Sequence, residues 1–202
     1  MKNNMSGRAL LAAASVLAPI TAFAHDLSVR YGAYLGAAIH PLTELDHLLA
    51  LLAVGLLAGQ QGAPATWRAV AALIVGLLFG VALATVPTLV PIERSLLTVF
   101  NLASFFVLGA LVAAALRLPS WLVVALAAIV GASHGLENGL DLGDALSVFS
   151  GLGVITAGLI AATPVAALAA NLRAGWQRIA VRVGGSWIAA IGLIVLGLRF
   201  RS

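Results

Sequence analysis

Apolar runs of roughly bilayer length, separated by short intervals that carry proline, glycine or charge, set the pattern of this chain. A helix rises about 1.5 Å per residue, so about 20 apolar residues cross a hydrocarbon layer of about 30 Å. Runs of this kind fall at 45–58, 67–90, 96–116, 121–140, 146–170 and 183–198. They predict an all-α, polytopic membrane protein built as a six-transmembrane-helix bundle. The first run is short, and residues 31–39 are expected to add a helical or re-entrant piece ahead of Pro41. Breaks are expected at Gly62-Ala63-Pro64, Pro87, Pro91, Pro119 and 171–178, and a kink at Pro164. Glycines four apart at Gly32/Gly36, Gly55/Gly59, Gly76/Gly80, Gly135/Gly139 and Gly139/Gly143 mark helix faces that can approach closely. Thr98, Asn101 and Ser104 line one side of the third run, as helix-to-helix hydrogen bonding requires more often than a pore does.

Composition agrees with the pattern. Apolar residues make up 62% and charged residues 9% of the 202, with mean hydropathy +1.09, whereas an ordinary soluble domain carries about 25% charged residues. The formal charge of +4 comes from arginines scattered singly between apolar runs, which excludes a nucleic-acid interface. Lys2 and Arg8 precede an apolar stretch at 9–20 and an Ala22-x-Ala24 pattern, the signature of a cleavable signal peptide over 1–24; an uncleaved anchor helix is the alternative. The remaining membrane domain, 25–202, would begin at His25 and contain neither Met nor Cys, so only nitrogen and oxygen are left to ligate a metal. An outside N-terminus puts Arg68, Arg117, Arg173, Arg178 and Arg182 on the cytoplasmic side and every acidic residue and histidine on the other. That obeys the positive-inside rule, apart from Arg199 and Arg201 near the C-terminus, and places the chain in a bacterial inner membrane with its N-terminus periplasmic.

Two clusters then stand out. In 40–47, His40, Glu44, Asp46 and His47 gather where polar chain becomes apolar. On a helix starting at Pro41, His40, Glu44 and His47 would share one face and converge on one ion. Asp46 is either a ligand or, with Thr43, a capping box that starts the helix. Ionisable groups at membrane depth cost about 2.5–3.5 kcal/mol on insertion scales, so the histidines need a functional reason. The second cluster is His134, Glu137, Asn138 and Asp141, where His134 follows an unbroken apolar stretch and a structural His134–Glu137 pair is the alternative. Asp144 reads as the cap of the next helix.

At these residues the chain resembles the HupE/UreJ family of membrane proteins, associated with nickel uptake beside hydrogenases and ureases. The family pattern H-P-x-x-G-x-D-H-x-L-A-M-x-x-V-G is met by His40-Pro41, Asp46-His47, Leu49-Ala50 and Val54-Gly55, and H-G-x-x-H-G-x-E by His134-Gly135 and Gly139. Glu44 stands for glycine, Leu51 for methionine, Asn138 for the second histidine and Asp141 for glutamate. The resemblance implies that His40, Asp46, His47 and His134 handle metal, with Glu137, Glu44 and Asp141 as further candidates. It implies a non-enzymatic permease without tightly bound cofactors, carrying Ni²⁺ inward, with Co²⁺ or Zn²⁺ as alternatives. Its partners would be the divalent ion, the bilayer and nickel-enzyme maturation proteins. No G-x-x-x-x-G-K-[ST] sequence is present to couple transport to a nucleotide. Two other classes stay open: an intramembrane zinc hydrolase using His40, His47 and His134, and a non-transporting accessory protein.

Overall fold

A computed structural model describes residues 23–201 apart from 87, 89, 90, 92 and 174, with side chains from Tyr31 onward. The expected leader, 1–24, lies almost entirely outside the described residues. Among those residues the chain forms seven α-helices: α1 (Phe23–Thr43), α2 (Leu45–Gln60), α3 (Ala63–Ala84), α4 (Arg94–Ala114), α5 (Ser120–Leu142), α6 (Val148–Ala170) and α7 (Gly175–Arg199). Helices α3 to α7 are each long and apolar enough to cross a membrane. The segment Tyr31–Thr43 and α2, bent by 76° at their junction, together have the length and apolarity of a broken span or of a re-entrant loop, so the described residues hold five or six candidate spans. Wide outward exposure of residues such as Trp67, Phe79, Trp121, Ile160 and Ile194 fits a surface that faces lipid.

Helix α2 occupies the centre, in contact with α6, α4 and α3, while α3 packs along α5 and α7 along α4. Apolar side chains fill the middle, with Leu57, Leu73, Leu77, Phe105, Leu108, Val112 and Val154 withdrawn from the surface. The closest seam is between α3 and α5. A Cβ at Gly76 would lie 3.1 Å from Gly131 Cα, and one at Gly135 would lie 2.9 Å from Leu77 Cα, so the two backbones meet where side chains are missing. Gly55 and Gly59 serve α2 against α6 in the same way. Gly32 and Gly143 do not pack; they hold φ of 81° and 50°, a region costly for other residues, and break the helix path.

Several local expectations are corrected. The helix does not start at Pro41: α1 runs through it to Thr43, and the break falls at Glu44, whose extended backbone (φ −79°, ψ 119°) precedes α2. No Thr43–Asp46 capping box forms, because the Thr43 hydroxyl donates back to the carbonyls of Ile39 and His40, 3.1 Å each. Asp144 sits in a short 3₁₀ turn, and Ser147 caps α6 in a reciprocal box with Ser150. Helix α6 is continuous through Pro164. The α7 helix begins eight residues before the apolar run, since its Arg-bearing first turns lower hydropathy without interrupting helical hydrogen bonding.

Candidate metal centre

The bend at Glu44 places the end of α1 and the start of α2 against the last turns of α5. His40 is brought by α1, Asp46 and His47 by α2, and His134, Glu137, Asn138 and Asp141 by one stripe of α5 at spacings of three and four. His47 and His134, far apart in sequence, meet with Nδ1 to Nδ1 at 2.9 Å and rings crossed at 78°. Both are almost wholly withdrawn from the surface, at 3% and 1% exposure. At that separation one Nδ1 must carry a proton and the other a lone pair.

Surrounding groups fix this pair. The Asn138 side-chain amide donates to the His134 carbonyl at 2.8 Å and lies 3.3 Å from His47 Nδ1. Ser104 on α4 donates to the Asn101 carbonyl at 2.7 Å while its oxygen is 3.2 Å from His134 Nε2. With the hydroxyl proton spent on that carbonyl, Ser104 can accept from His134 Nε2–H, which leaves the His134 Nδ1 lone pair directed at His47. Glu137 does not pair structurally with His134 alone. Its two oxygens accept from Thr98, at 2.7 Å, and from the buried Asn101 side chain. The polar stripe of α4 is therefore the support of a carboxylate and an imidazole on α5. Its role in orienting ligands is absent from the sequence reading, although the spacing of Thr98, Asn101 and Ser104 gives the signal.

Ligand atoms converge in two overlapping sets that share His47: His40, His47 and Asp141, and His47, His134 and Glu137, each with atoms within 4.8 Å of one another. His40 is buried with neither ring nitrogen hydrogen-bonded, and its ring centre is 5.7 Å from that of His47. Glu44 stands 3.8 Å from His40 Nδ1. Asp46 flanks the sets: its Oδ1 accepts from the His47 amide at 3.0 Å, which steadies the first turn of α2. Asp141 is also held by Arg94, which donates to it at 2.8 Å and to the Leu140 carbonyl at 2.6 Å. The three histidines needed by a zinc hydrolase do not gather as one set among the described residues: His40 and His134 belong to different sets, each with His47.

Nitrogen and carboxylate oxygen at converging positions, away from bulk water, are the donor types for a borderline divalent ion. Comparison with known proteins covers almost the whole chain. The family model described as HupE / UreJ protein matches residues 12–195. Protein HupE of Rhizobium leguminosarum bv. viciae is 27% identical over 188 residues, spanning 91% of this chain and 94% of the relative. No solved structure matches.

Proposed function

The chain belongs to the HupE/UreJ family, and on that premise we propose that it is a membrane permease that takes Ni²⁺, with Co²⁺ as its nearest substitute, from the acidic periplasmic face and passes it toward the cytoplasm for a nickel enzyme. The observation that carries this reading is the facing pair of imidazole nitrogens, His47 and His134, 2.9 Å apart beside Glu137. Two ligand nitrogens about 2.1 Å from one ion lie about 3.0 Å apart at a right angle and about 3.4 Å apart in a tetrahedron. The 2.9 Å separation is that of an N–H···N hydrogen bond and lies near both values, so the pair stands at chelating distance for one divalent ion. For an ion to bind both nitrogens, the single proton on His47 Nδ1 moves to His47 Nε2, so that both rings offer a neutral Nδ1 lone pair.

The shared position of His47 supplies a route. An ion first held by His40, His47 and Asp141 reaches His134 and Glu137 by exchanging partners around one imidazole that it never releases. Glu44 and Asp46 raise the local cation concentration at the mouth. Arg94 competes for Asp141, so the outer set fills when the ion displaces that guanidinium. Beyond His134 the packed Leu57, Phe105 and Leu108 close the way. Delivery to the other side therefore requires the helices to rearrange, driven by the ion gradient or by a partner that draws the metal away.

The test is uptake into liposomes that enclose a nickel-sensitive dye. Wild-type protein is expected to give a saturable signal and His47→Ala none; an equal rate in both would refute the permease reading.

A further inference from the structure

A cavity of about 340 Å³ opens at the other end of the bundle, where α2, α4 and α6 finish and α7 begins. Gln60, Arg117, Arg178 and Arg182 form its polar wall, and Leu172 and Val181 belong to its apolar one. Arg182 Nε donates to the Ala113 carbonyl at 3.0 Å and Arg117 to the Gln60 carbonyl at 3.4 Å, so two guanidinium groups are tethered to helix ends at the rim. No carboxylate side chain among the described residues balances them. Every acidic side chain among the described residues (Glu44, Asp46, Glu93, Glu137, Asp141, Asp144) lies at the histidine end.

Three positive charges in one concavity repel a divalent metal ion, so this cavity cannot be a resting place for the cargo. Its chemistry is the reverse. Guanidinium groups offer forked donors that match phosphate oxygens, the volume falls within the range of small-ligand pockets, and basic pockets between membrane helices suit anionic headgroups. We infer that the cavity is a binding site for a phosphate-bearing anion, either an anionic lipid headgroup or free phosphate. The apolar wall beside the arginines suits the start of an acyl chain. This inference does not depend on the identity of the transported ion.

The full chain in zwitterionic detergent, titrated with phosphatidylglycerol or with inorganic phosphate, gives the test through its thermal unfolding midpoint. The midpoint should rise with one of the two, and Arg178→Gln should raise the half-saturating concentration about tenfold. A response to phosphatidylglycerol alone assigns the site to lipid; a response to inorganic phosphate assigns it to the free anion. Arg68→Gln, on the same end but outside the cavity, should leave the titration unchanged. No response to either anion, or equal losses in Arg68→Gln and Arg178→Gln, would overturn the inference. Nickel binding by Arg178→Gln should match wild type, which keeps this result separate from that of the histidine site.

Discussion

His47 belongs to both ligand sets, and at the scale of single residues it governs the rest. His47→Ala should remove nickel binding altogether, whereas His40→Ala should spare the inner set and weaken binding only partially; isothermal titration would separate the two. Supporting residues have effects of their own. Asn101→Leu strips a buried donor from Glu137, so nickel affinity should fall about 10- to 100-fold, the usual cost of losing an outer-shell partner. Asn138 stands 3.3 Å from His47 Nδ1 where the family pattern has histidine. Asn138→His adds an imidazole at that point and should tighten nickel binding about tenfold; weaker binding would show that the amide, through its bond to the His134 carbonyl, matters more. Arg94→Gln frees Asp141 and should raise affinity at low ionic strength, with the gain fading as salt screens the charge.

The elements explain which parts of this site could be read in advance. Composition and run length were enough for the helices, because burying a backbone in lipid leaves an apolar sequence few alternatives. The residues of α5 were equally legible, since 134, 137, 138 and 141 fall on one stripe whatever the tertiary structure. The start of α2 was not. Proline suggested a helix beginning at Pro41, yet the chain turns three residues later at Glu44, where the Thr43 hydroxyl caps α1 backward instead of α2 forward. That reversal depends on where α1 docks against α6, which no local pattern encodes. The contact of His47 with His134 is likewise a product of packing, set by how closely α3 meets α5, and α2 meets α6, through their glycines. Gly135→Ala places a methyl group against the Leu77 backbone and should cost about 1–3 kcal/mol of stability. It should also weaken nickel binding, because the residue it displaces adjoins His134; a thermal melt beside the titration would register both.

Across the whole molecule the two ends are chemically opposite. Carboxylates and imidazoles gather where α1 meets α2, and arginines gather where α2, α4 and α6 end. On the proposed function, a cation would be attracted at the first, held at the buried histidines and repelled at the second, so its release would depend on helix movement or on a carrier that masks the charge. This polarity was visible in the sequence through the separation of acidic from basic loops, although the enclosure of three arginines around one cavity was not. Whether His47 and His134 grip the same ion is decided by nickel titration of wild type, His47→Ala, His134→Ala and the double variant. Each single substitution should abolish the high-affinity site, and the second should add nothing to the first. Binding that survives intact in His134→Ala, or losses that add as if from separate sites, would contradict a shared ion.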